Sequence, residues 1–132
     1  MIALLTFLLR YCSCVFERPG FRFKDSGVGR NAAEGSRIHL ESPEVEMFIG
    51  NEREELTWRI RSTYDSSKRN WFSFDLVAQL LGHDVSTGVM TEENCELLKK
   101  DLPEILDRFS ESRVSATLRT LKRLKAERTK RI

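Results

Sequence analysis

Histidine and cysteine are scarce in this chain. There are two histidines, His39 and His83, and three cysteines, Cys12, Cys14 and Cys95, in 132 residues. An odd number of cysteines gives no disulfide framework. Cys12 and Cys14 stand two apart, where an extended strand points both side chains the same way but too far apart to bridge. A reducing, cytoplasmic compartment is therefore the expectation. No cysteines or histidines are paired at zinc-ligand spacing, so neither a metal nor another cofactor is expected. No Ser-His-acid or Cys-His order is recognisable, although such groups assemble in space rather than in sequence. The chain is not expected to be an enzyme.

Long apolar runs are lacking too. The most apolar stretch, Met1 to Leu9, is far below the roughly 18 residues that suggest a membrane span. No positive charge precedes it, and Cys12-Ser-Cys14 is a weak small-x-small cleavage site. Secretion through residues 1–14 is not expected on those grounds, and a first strand or short helix is.

The composition that remains, 40% hydrophobic and 32% charged, is that of a folded, well-solvated protein. At this length one domain is the expectation. The net charge of +2 conceals an asymmetry. Residues 111–132 hold eight Lys/Arg and two Glu, net +6, while residues 1–110 hold fourteen basic and eighteen acidic side chains, net −4.

Residues 1–36 have no clear periodicity. Gly27-Val-Gly29-Arg-Asn-Ala32 has the glycines of a dinucleotide-binding turn but not the apolar strand before it or the helix after it. A mobile surface loop is the expectation there. From residue 37 the pattern sharpens. Ile38 and Leu40 alternate with polar neighbours, as do Val45, Met47 and Ile49, and then Leu56, Trp58 and Ile60. Turn signals stand at Ser42-Pro43 and Gly50-Asn51. Period-2 alternation between turns predicts about three half-buried antiparallel strands over 37–62. His39 points outward in this scheme, as an exposed strand histidine.

The polar connector Asp65–Asn70 leads into the chain's most organising stretch. In Trp71–Gly82 the residues Phe74, Val77, Ala78 and Leu81 form one helical stripe, and Phe72, Leu76 and Leu80 a second beside it. Only Asp75 and Gln79 are left for a polar strip, so this helix, 71–82, is expected to be buried on most sides. Asn70 or Ser73 can cap its start, and Gly82 suits the left-handed exit. His83, just beyond, can meet the last carbonyls.

Thr91 is the expected N-cap of the next helix, 91–109, with Glu92 and Glu93 in its first turn. Its stripe of Cys95, Leu98, Leu102, Ile105, Leu106 and Phe109 runs straight through Pro103, which favours a kink over a break. Cys95 on that stripe behaves as a small hydrophobe. The carboxylates Glu92, Glu93, Glu96, Asp101, Glu104 and Asp107 face solvent. The two helices are expected to form a hairpin, with Leu81 and Leu102 buried in it.

A last helix, 112–129, can start at Ser112. Val114, Leu118, Leu121 and Leu124 fall within about 120° of its circumference. Arg119, Lys122, Arg123 and Lys130 project from the other side. Lys125 and Arg128 return to the apolar side, which predicts that docking ends near Leu124. The basic face can neutralise phosphates without sequence preference, because no Asn or Gln accompanies it to read base edges. The tail has no interleaved aromatics for single-strand stacking. The preceding helix pair is not a helix-turn-helix, since its loop is too long and its second helix is acidic.

The sequence thus predicts an α+β domain over 37–132, a small sheet packed on a helical hairpin plus a basic terminal helix, preceded by a poorly defined segment over 1–36. The expected role is a non-enzymatic accessory or binding protein acting on a macromolecular partner. The partner is a protein or, through Arg119, Lys122, Arg123 and Lys130, non-specific nucleic acid. A nucleic-acid-binding regulator and a small enzyme with an unread site are the alternatives.

Overall fold

The computed structural model describes residues 22–28, 36–52, 55–67 and 69–130. Within them the fold is α+β. One antiparallel sheet runs in the order β1 (Arg22–Val28), β2 (Ser36–Glu41), β3 (Val45–Glu52), β4 (Glu55–Ser62) and β5 (Phe72–Ser73). Three helices follow, α1 (Phe74–Leu80), α2 (Glu92–Arg108) and α3 (Val114–Lys130). Neighbouring strands are neighbours in sequence, so the sheet is a plain meander.

The three expected strands are present, and β3 and β4 run longer than expected. Gly50-Asn51 is not a turn. Gly50 pairs with Thr57 and Asn51 with Leu56, because the ladder between β3 and β4 continues to Glu52 and Glu55. Two further strands escape the pattern. β1 occupies Arg22–Val28, so Asp25–Val28 is strand where a surface loop was expected, and it carries a bulge between Phe23 and Asp25. Its composition is polar and glycine-containing, with no alternation to read. The apolar run Met1–Leu9, Cys12, Cys14 and the glycine-rich Gly29–Gly35 lie outside the described residues.

Alternation places Ile38, Leu40, Val45, Met47, Ile49, Trp58 and Ile60 on the inner face of the sheet, each no more than 2% exposed. Pairing fixes this register. Ile38 faces Ile49 and Ile49 faces Trp58, while Leu40 faces Met47 and Met47 faces Ile60. A slip of one residue would turn all of them to the opposite face. Leu56, expected inward with them, is only half-buried at the strand end.

Helix α1 is shorter than the expected 71–82. Phe72 pairs with Ile60 and Ser73 with Arg59, so Phe72-Ser73 enters the sheet instead of a first helical turn, and Trp71 stands just before it. Ser73 is the N-cap by backbone conformation, yet its hydroxyl caps nothing, being turned to Asp75. Gly82 has φ of 88°, the left-handed exit that the sequence implied. Leu76 and Val77 are fully buried, and Leu81 only half so.

Thr91 caps α2, its hydroxyl accepting from the Asn94 amide at 3.2 Å. The helix is continuous through Pro103. Cys95, Leu98, Leu102, Ile105 and Phe109 are buried, and Leu106 half-buried. Burial, and then the carboxylates of Glu96 and Glu92, push the Cys95 thiol up to about 12. The carboxylates of α2 are exposed except Asp101, which is half-buried against His83. His83 therefore does not bond the end of α1 with its ring. Its Nε2 lies 2.8 Å from Asp101 Oδ2 and ties the loop after α1 to α2.

The core joins all three helices to the sheet, but the close backbone approach of α1 is to α3 rather than to its sequence neighbour α2. α3 is held at its start by Thr117, whose hydroxyl lies 2.6 Å from the Arg108 carbonyl at the end of α2. Val114 and Leu121 are buried, and Leu118 and Leu124 half-buried. Leu102→Ala should cost about 2–5 kcal/mol through the cavity it leaves. Arg119→Ala, on an exposed position of α3, should change stability by no more than about 0.5 kcal/mol. Urea melts of the two variants check this, and the reverse order would mean that the helix faces are misassigned.

Candidate functional site

The outer face of the sheet is not the plain solvated surface that alternation implies. His39, Phe48, Arg59 and Ser73 form one row across β2, β3, β4 and β5. His39 is half-buried rather than exposed. Its ring meets that of Trp71 at 5.7 Å and that of Phe48 at 6.4 Å, both edge to face. Phe48 and Trp71 complete the trio at 6.5 Å. Edge-to-face contacts of this kind suit the aromatic quadrupole. In the next row Glu46 faces Arg61, and both are buried. The Arg61 Nη1 donates to Glu46 Oε2, and His39 Nε2 lies 3.4 Å from Glu46 Oε1.

The connector after β4 is fixed from three sides. Asp65 Oδ2 accepts from the Asn70 side-chain amide at 2.8 Å and Oδ1 from the Ser67 amide at 3.0 Å. Lys122 of α3 approaches the same carboxylate at 3.6 Å, and Arg61 Nη2 donates to the Asp65 carbonyl at 3.3 Å. Burial pushes the Asp65 carboxyl up, but the Asn70 and Ser67 hydrogen bonds and the Lys122 ammonium outweigh it and hold it below its usual range. These contacts set where Arg69 and Trp71 stand.

A cleft of about 620 Å³ opens where β4, β5, the Ser86–Val89 loop and the end of α3 meet. Arg59, Arg69, Lys125 and Arg128 line it, with Trp71 beside them and Ser86, Thr87 and Gly88 along the loop wall. The cleft holds one carboxylate, Asp75, which was expected on a polar strip and is instead only 4% exposed. Arg128 Nη1 donates to Asp75 Oδ2 at 2.8 Å and to Ser73 Oγ at 3.0 Å. Ser73 in turn donates to Asp75 Oδ1. A buried carboxylate is costly unless paired and hydrogen-bonded, and here it is both. Gly88 lets the loop lie close, since a Cβ there would stand 3.0 Å from Asp75 Oδ1.

Docking of α3 therefore does not end near Leu124. Lys125 lays its stem along the apolar side and reaches the Trp71 carbonyl at 3.3 Å, with its ammonium 5.6 Å from the Phe72 ring centre. A long cationic side chain can cover apolar surface while its head finds polar partners. Arg128 continues the same side one turn later. The other cations of the cleft differ. Among the described residues Arg59 and Arg69 have no carboxylate partner.

Arg119, Lys122, Arg123 and Lys130 are all exposed on α3, and none lines the cleft. Lys122 leans to Asp65, and Arg123 lies 3.9 Å from Glu127. The structure thus places two cationic surfaces on one helix. The inner one needed Lys125 and Arg128, whose position on an apolar stripe was the available signal. Arg59, Arg69 and Trp71 gave no signal of belonging together. Among the described residues no three His, Cys, Asp or Glu side chains gather as a metal-ligand set, and no helix is long and apolar enough to cross a membrane. Comparison with known proteins found no matching family model, no similar curated protein and no similar solved structure.

Proposed function

We propose that this chain is a non-enzymatic binding protein that acts on a macromolecular partner, and that the cleft between the sheet edge and α3 takes an anionic part of that partner. One observation carries the reading. Four cationic side chains converge on a cleft whose single carboxylate is already neutralised by Arg128. Arg59 and Arg69, without a carboxylate partner among the described residues, favour an anion, and clefts with low-dielectric walls concentrate such a field.

The exposed face of α3, with Arg119, Lys122, Arg123 and Lys130, is the competing surface. Titrating the protein with inorganic polyphosphate at several salt concentrations tests the assignment. Wild type should bind with an affinity that falls steeply with salt. The Arg59→Glu/Arg69→Glu variant should lose most of that affinity, and Arg119→Glu/Arg123→Glu should keep most of it. The opposite ranking would move the site to the outer face of α3. Binding that ignores salt, or none at all, would remove the anionic partner.

A further inference from the structure

We infer that the cleft holds one nucleotide unit of a single-stranded nucleic acid, with Arg59 and Arg69 on its phosphates and Trp71 against its base. This rests on the reading of the cleft as an anion site and narrows its ligand. Trp71 distinguishes this cleft from a plain anion site. The basic helix has no aromatic residue of its own, but the fold brings Trp71 to Lys125, 54 positions away, and sets it in the same cleft wall as Arg59 and Arg69. A half-buried indole in one wall with two guanidiniums that have no carboxylate partner among the described residues suits a nucleotide, which offers a flat ring and an anionic linkage.

The indole is held in place beforehand. His39 and Phe48 pack on it from the sheet, at ring angles of 66° and 72°, and its carbonyl is bonded by Lys125. Little ordering cost remains to be met on binding, which is how a rigid aromatic anchor gains affinity. The cleft volume, about 620 Å³, lies in the range of small-ligand sites and matches a base with its sugar and phosphate rather than a helix. A duplex is disfavoured for a second reason. Its base faces are stacked on each other and are not available to an indole, whereas those of a single strand are. An acidic polypeptide would satisfy the guanidiniums and leave Trp71 without a role.

The test uses the full chain and three labelled probes: a ten-nucleotide deoxythymidine strand, a DNA hairpin duplex and inorganic polyphosphate. Wild type should prefer the single strand over the duplex. Trp71→Leu, which keeps apolar bulk but loses the ring, should weaken single-strand binding about 5- to 150-fold. It should leave polyphosphate binding within about twofold, a control that also reports an intact cleft. Trp71→Phe should restore most of the loss. Arg59→Glu/Arg69→Glu should weaken both probes and reduce the log–log salt slope for the single strand by about 1.4, from about 0.7 per lost phosphate contact. If duplex or polyphosphate binds as tightly as the single strand, or Trp71→Leu binds it like wild type, the nucleotide assignment is overturned while the anionic cleft stands. If the double arginine variant binds every probe like wild type, both fall.

Discussion

Trp58→Ala should lower the free energy of unfolding by about 3–5 kcal/mol. That is a large share of the roughly 5–15 kcal/mol that a domain has in total. Trp58 is 1% exposed on the inner face of β4, and its ring meets that of Phe74 edge to face at 6.1 Å. Phe74 is the first residue of α1, so the pair joins the sheet to the helix that carries Asp75. Trp58 also forms part of the cleft wall. Truncation should therefore loosen the support of the cleft together with the core. Urea unfolding followed by circular dichroism reads the stability, and polyphosphate titration of the folded fraction reads the cleft. Trp58→Phe should recover more than half of the loss, because a ring again faces Phe74. A loss below about 1 kcal/mol in the alanine variant would mean that the site collapses readily, and that β4 is not the keel of this core.

Glu46→Ala should cost about 3–5 kcal/mol, as removal of one partner of a buried ion pair does. Glu46 and Arg61 are 7% and 8% exposed, opposite each other on β3 and β4. Among the described residues, Arg61 Nε and His39 Nε2 already lack hydrogen-bond partners. Without the Glu46 carboxylate, the Arg61 guanidinium keeps, among the described residues, only the Asp65 carbonyl at 3.3 Å. A cation left buried and poorly bonded is the origin of the cost, more than any attraction lost. The double variant Glu46→Leu/Arg61→Met should accordingly be more stable than Glu46→Ala, since neither charge is then buried alone. Thermal melts of the two variants and wild type decide it. A double variant at least as unstable as the single one would mean that packing, not the stranded charge, sets the cost.

The two variants test different halves of one arrangement. Trp58 belongs to the inner face, which is dry and packs on α1. Glu46 and Arg61 belong to the outer face, which carries the aromatic trio and Arg59. Arg61 also reaches the Asp65 carbonyl, and Asp65 holds the connector that presents Arg69 and Trp71. Weakening of polyphosphate binding in Glu46→Ala would follow from movement of that connector.

Much of the fold was determined by the sequence alone. Period-2 alternation fixed which side of β2, β3 and β4 is dry, because strands with one buried face admit one register. The helical stripe of α2 and its Thr91 cap were readable for the same local reason, as was the left-handed exit at Gly82. The charge of the tail was legible by counting. Tertiary structure alone decided the remainder. β1 has no apolar alternation, and β5 is two residues long, so each exists only because a neighbouring strand offers it hydrogen bonds. Asp75 looked like a solvent-facing residue on a mostly apolar helix. It is buried because Arg128, 53 positions away, neutralises it, and no local pattern carries that pairing. The cleft has the same origin. Its cations come from a strand, a connector and a terminal helix, and Trp71 joins them from just before the edge strand Phe72–Ser73, where sequence periodicity placed the start of a helix. Backbone periodicity reports what each element buries, whereas a site built from separate elements is set by the packing that brings them together.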